Sequence, residues 1–241
     1  MRKIILLFII TCFYNSLLSQ EIVSARIFYK VSRSLSPKKV FEIQTKLYLN
    51  DFVKKMMFGT LLRTKPVTSI LEFKSNKSIY SLSKKDIDES RDRTIDGINL
   101  SFSFGGSENI YFLDLENEEI FYKGKNMSMS HELVYFDKPK WELLKGEKEI
   151  LGYTCKKAML VNDSKNKTTV WYTEEIPYQF GPKMYFGLSG LILEIEGKNS
   201  TFVATKVEIN PNDIYILKPT AKTKTTYKKK IKAFSKIMEE N

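Results

Sequence analysis

The sequence predicts a mainly β protein: a curved antiparallel sheet or half-open barrel, finished by a C-terminal amphipathic helix. Three observations carry this expectation. Apolar and polar residues alternate in short runs along most of the chain. Turn-forming residues separate those runs at short intervals with no helical pattern between them. A stripe at helical spacing occurs near the end, at Tyr227, Ile231, Phe234 and Met238.

The first nineteen residues stand apart. Arg2 and Lys3 precede an apolar run from Ile4 to Ile10, and smaller polar residues follow to Ser19, the layout of a secretory signal peptide. Tyr14, Asn15 and Ser16 interrupt the run short of the roughly 20 apolar residues that a membrane span needs. Cys12 opens a second reading, the acylated cysteine of a lipoprotein, although Thr11 before it is bulkier than the usual Gly, Ala or Ser. The expected organisation is a signal peptide at 1–19, one β-rich domain at 20–215 and a basic helix or tail at 216–241. The expected location is the periplasm, the outer-membrane surface or the medium.

Without the leader, Cys155 is the only cysteine, so no intramolecular disulfide forms and stability must come from packing. The chain carries a formal net charge of +11, and only six of its 39 basic residues are arginine. Phosphate readers favour the arginine fork, and an exported protein meets no chromosomal DNA, so nucleic acid is not an expected partner. Solubility and attraction to an anionic membrane are the readings left for the basicity.

The strands follow in order. "ARIFYKVS" places Ala25, Ile27, Tyr29 and Val31 on one side and Arg26, Phe28, Lys30 and Ser32 on the other. "FEIQTKLYL", 41–49, repeats the pattern after the turn residues "SRSLSPKK". "SKKDIDESRDRTIDG", 83–97, is charged and poor in large apolar residues, which predicts an exposed loop or excursion. "NIYFLDLENEEIFYKG" predicts a hairpin with Tyr111 and Phe112 facing Phe121 and Tyr122. Its turn at Glu116 to Glu119 lacks the spacing of a calcium loop. From Trp141 five further strand signals succeed one another, ending with "TFVATKVEI". The closing helix is expected to dock on the sheet, lie on an anionic membrane surface, or fray.

Several pieces in the second half, "GYTCKKA", "WYTEEIP", the "GP" at Gly181-Pro182 and "GLSGLILEI", resemble the GLPGLI family of exported proteins found mainly in Bacteroidetes. The resemblance covers about residues 140 to 209. Ser189 stands where that family has proline, which leaves the turn less constrained. The resemblance implies an exported β-rich domain and supplies no catalytic residues.

The glycines of this stretch admit two readings. They shape a turn and bulge feeding a buried strand, "LILEI", or they let a ligand approach the backbone. On the second reading Trp171, Tyr172, Tyr178, Phe180, Gly181, Pro182, Tyr185, Phe186, Gly187 and Gly190 form a binding face, with the aromatic rings lining a groove. One ring of the Trp171-Tyr172 pair faces outward in a strand, and Trp171 is expected in the core.

Chemistry is sparsely signalled. His131 is the only histidine, so a Cys/His metal site cannot be assembled, and no cofactor is expected. Cys155 reads as a packed structural thiol on a strand. Glu174 and Glu175 are neighbours in extended chain and point to opposite faces. No nucleophile elbow, phosphate loop or dinucleotide fingerprint occurs. The functional expectation is a non-enzymatic envelope module that binds or carries an apolar ligand, lipid or peptide, or an envelope protein. The alternatives are a hydrolase using Cys155 or strand-borne carboxylates, and an assembly factor acting through the basic helix.

Overall fold

The computed structural model describes residues 21–33, 64–91, 99–126, 128–161 and 168–239. The leader and the 41–49 segment lie outside them. Among the described residues run twelve strands: β1 (Ser24–Arg33), β2 (Val67–Lys74), β3 (Lys77–Leu82), β4 (Ile110–Asp114), β5 (Glu119–Lys125), β6 (His131–Tyr135), β7 (Trp141–Ile150), β8 (Tyr153–Leu160), β9 (Thr169–Thr173), β10 (Leu191–Glu196), β11 (Ser200–Ile209) and β12 (Thr223–Thr226). Three helices accompany them: α1 (Lys84–Arg91), α2 (Leu100–Gly105) and α3 (Tyr227–Glu239).

The strands form one open sheet in the order β12-β6-β5-β4-β3-β2-β1-β11-β10-β9-β8-β7. The ladders are antiparallel apart from β12 on β6, which is parallel. The connection from β6 to β7 dictates the curvature. These strands are ten places apart in the sheet, about 48 Å if it lay flat. The chain from Tyr135 to Trp141 reaches no more than about 20 Å when extended. The sheet therefore curls until its two ends approach each other, while no ladder among the described residues closes it.

The concave side holds the main core, and Phe112, Phe121 and Leu133 form a smaller cluster on the other face of β4 to β6. Ala25, Ile27, Tyr29 and Val31 are fully buried, the set that the alternation of β1 predicts. The Tyr29 hydroxyl donates to the Ile192 carbonyl at 2.6 Å, and that of Tyr80 to the Gly105 carbonyl at 2.8 Å. The second bond fastens α2, capped by Asn99 and ended by Gly106 at φ 118°, against the inner face of β1 to β3. On the outer face Arg26 reaches Glu72 at 2.6 Å, Glu208 at 3.3 Å and Asp213 at 3.1 Å, spanning three neighbouring strands and the chain beyond β11.

The predicted hairpin is present, with Tyr111 opposite Tyr122 and Phe112 opposite Phe121. Asp114 holds its turn by accepting from the Asn117 backbone and side-chain amides. Residues 84–91 of the expected excursion are helical. Ser83 caps α1, accepting from the Asp86 amide while its hydroxyl donates to the Asp86 carboxylate, a reciprocal cap that overrides the segment's weak apolar content. The rest of that segment, 92–98, lies outside the described residues.

The helix at the end begins at Tyr227. Lys230 pairs with Glu132 of β6, and Lys228 with Asp137 at 2.7 Å. Tyr227 and Ile231 stay substantially exposed, and ion pairs at its first turns tie the helix to β6 and the chain after it. The side chains of Phe234 and Met238 lie outside the described residues.

Candidate functional site

Two stretches of chain meet where the ends of the sheet approach: the short 136–140 connection and the loop from 176 to 190. The loop folds back on itself, with the Gly187 amide donating to Gln179, Leu191 to Ile176 and Ile192 to Phe180, all at 2.9–3.1 Å. Gly190 permits this, because a Cβ there would sit 1.9 Å from the Thr173 carbonyl oxygen. Gly187 adopts φ 90°, and the Lys138 stem lies against the space its side chain would fill. The Trp141 indole donates to the Phe186 carbonyl at 2.8 Å, and the Phe136 and Phe186 rings meet edge to face, tying loop to connection.

Two clefts open at this junction. The first, about 630 Å³, is walled by Tyr135, Phe136 and Asp137 from β6 and the connection, by Met184 and Tyr185 from the loop, and by Tyr227 and Lys228 from α3. Leu160 at the end of β8 completes it, so strands from both ends of the sheet contribute. The exposed Asp137–Lys228 pair stands at its mouth, and the carboxylate holds the Lys228 ammonium above the ordinary lysine value. The second cleft, about 620 Å³, has Asn76, Glu116, Glu118, Tyr178 and Gln179 around a floor that includes Phe180 and Phe186. Lys138 lines both.

The residues singled out from sequence separate into three places. Tyr178, Phe180 and Phe186 border the second cleft and Tyr185 the first. Phe180 and Phe186 are buried, and the Tyr178 ring meets Phe73 at a tilt, 4.6 Å between centroids, while its hydroxyl donates to the Ile22 carbonyl at 2.6 Å. Gly181 and Pro182 are buried inside the loop, as is Gly190 at its end. Trp171 and Tyr172 belong to neither of these two clefts, and their faces are the reverse of the expectation. Tyr172 is in the core, while Trp171 faces outward, donates to Glu196 at 3.1 Å and lies beneath the Lys148 and Lys157 ammonium groups.

Sequence reading missed Asp137, Lys138, Tyr227 and Lys228. Tyr227 reaches the first cleft because β12, the polar "TKTT", pairs with β6 across a long sequence separation, and nothing local announces that pairing.

Nucleophilic chemistry at Cys155 has no support. The thiol is fully enclosed, its sulfur sits 3.5 Å from the Tyr153 carbonyl, and burial pushes its pKa up to about 11. His131 is exposed, and no hydrogen bond among the described residues joins the two. Glu174 engages Lys156 and Ser189, whereas Glu175 accepts from the Thr154 amide, so the two carboxylates part as their alternation requires. Among the described residues no three His, Cys, Asp or Glu side chains gather into a metal site.

A family model described as "N-glycanase peptide, N-terminal domain" matches residues 111–234, just over half of the chain. No curated protein matches the sequence. Two solved structures of PNGF-II, in the P21 and C2 space groups, are similar with TM-scores of 0.49 and 0.48 and 18% and 20% identity. They cover 84% and 86% of this chain but 31% and 32% of their own, so the chain spans about a third of the length of the proteins it matches.

These findings correct two expectations. The stretch that resembles the GLPGLI family lies largely inside the matched region, and the match is to the N-glycanase family. The glycines that carried the resemblance do what any tight turn before a buried strand requires, and so do not mark one family. The non-enzymatic apolar-ligand carrier gives way as well. A carrier needs an interior hollow, whereas Tyr29, Phe73, Tyr80, Phe180 and Phe186 fill the concave side. The chain belongs to the family of N-glycanase N-terminal domains.

Proposed function

We propose that this protein serves N-glycan processing by holding the sugar of an N-linked glycoprotein in the first cleft. Family membership supports the substrate class. The observation that carries the site is the meeting of the Tyr185 and Tyr227 phenols with the Asp137–Lys228 pair around about 630 Å³. Sugars offer C–H faces to aromatic rings and hydroxyls to charged groups, and a cleft of this size takes two or three sugar units. Three element ends supply the walls, so the rings are positioned before a ligand arrives.

Calorimetric titration with a free N-glycan oligosaccharide tests the reading directly, without depending on turnover. Tyr227→Ala, at an exposed position, is expected to weaken binding about tenfold, the loss of roughly 1.4 kcal/mol. An oligosaccharide that shows no affinity for the wild-type protein overturns the proposal.

A further inference from the structure

We infer that the second cleft holds the peptide flanking the glycosylated asparagine, with Lys138 at the joint between sugar and peptide. The inference rests on the sugar site proposed above and extends it. An N-linked glycoprotein presents two chemically different parts joined at one amide. The protein presents two clefts of matching size that share one residue, Lys138. Its stem packs where a side chain on Gly187 would otherwise sit, which places the ammonium at the boundary as a donor toward a carbonyl at the linkage.

The lining of the second cleft suits a polypeptide. Asn76 and Gln179 each bring a carboxamide, which donates and accepts as a peptide group does, over a floor that includes Phe180 and Phe186. Strand addition is not how the 176–180 segment engages a ligand, since its Tyr178 and Phe180 amides already donate to the Ile176 and Tyr178 carbonyls at 2.8 Å. Recognition therefore falls to the side-chain amides. Glu116 and Glu118 at the rim add a bias against acidic flanking residues.

The test compares three probes on the full chain by calorimetry: a free N-glycan, the same glycan on a short neutral peptide, and the peptide alone. The glycopeptide is expected to bind about tenfold more tightly than the free glycan. Asn76→Ala combined with Gln179→Ala, both at exposed positions, is expected to abolish that gain and leave free-glycan affinity unchanged. Lys138→Met is expected to remove part of the same gain. Equal affinity for glycan and glycopeptide in the wild type overturns the inference, as does a double variant that weakens both probes alike, which would make the second cleft another sugar subsite. A free glycan that does not bind the wild type sinks the sugar site and the inference with it. Thermal melts of the variants confirm that each is folded.

Discussion

Gly190 and Gly152 separate two reasons for glycine. A Cβ on Gly190 would meet backbone of β9 at 1.9 Å, and backbone in a ladder cannot step aside without disturbing its partners. Gly152 sits at φ 84° with nothing within 4 Å of the position its Cβ would take, so a substitution there pays only left-handed strain. Gly190→Ala is expected to lower the unfolding free energy by about 3 kcal/mol and Gly152→Ala by about 1 kcal/mol. Urea titrations of the two variants check the ordering, and equal losses would refute the close-approach account. At this scale the sequence was legible where alternation was unambiguous, as at Ala25, Ile27, Tyr29 and Val31. It was illegible at Trp171-Tyr172, because period two says that one ring faces inward without saying which. Trp171 lies outward because its indole finds Glu196 and its ring two lysines.

Among the elements, β1 shows what a central strand must do on both faces. Inside it is apolar; outside, Arg26 gathers carboxylates from β2, β11 and Asp213, and of these Asp213 and Glu72 hold its guanidinium well above the usual arginine value. Arg26→Met removes the cation and leaves three carboxylates crowded together at half-buried and exposed positions. A loss of about 2 kcal/mol is expected, and it should shrink when Glu72→Gln is added, because the second change relieves the repulsion created by the first. A double-mutant cycle in urea reads this, and strict additivity would count against the network. The hairpin of β4 and β5 was legible because its register follows from a local turn. The helix α1 was not, although Ser83 and Asp86 carry its cap in the sequence. Strand β12 was hidden for a different reason: four polar residues gain their conformation only from β6.

For the whole molecule, the curl follows from one short connection, and the same curl brings the seam residues together. The curvature was expected from the sequence, but the seam was not legible, because a ten-strand jump between consecutive elements leaves no mark on local periodicity. A global consequence of so aromatic a core appears in alkaline solution. Burial raises the phenol pKa of Tyr29, Tyr80 and Tyr111 well above the ordinary value of 10, and that of Tyr122 to about 12. Unfolded tyrosines release their protons first, so these groups contribute stability that is intact below pH 10 and is lost progressively as pH climbs toward the folded values. Cys155, at about 11 against an ordinary 9, acts in the same direction from pH 9 upward. Lys183 acts oppositely. Its ammonium donates to the Phe104 carbonyl at 2.9 Å, and desolvation lowers its pKa from 10.5 to about 8. Between those values the folded protein binds fewer protons than the unfolded chain, so stability rises with pH across that window. The urea midpoint is therefore expected to rise from pH 8 to 9, level off where Cys155 offsets Lys183, and fall above pH 10. Lys183→Met should abolish the rise and leave the fall in place. A wild-type midpoint that stays flat or declines from pH 8 to 9 would mean that Lys183 keeps its proton in the fold, and that its ammonium is solvated.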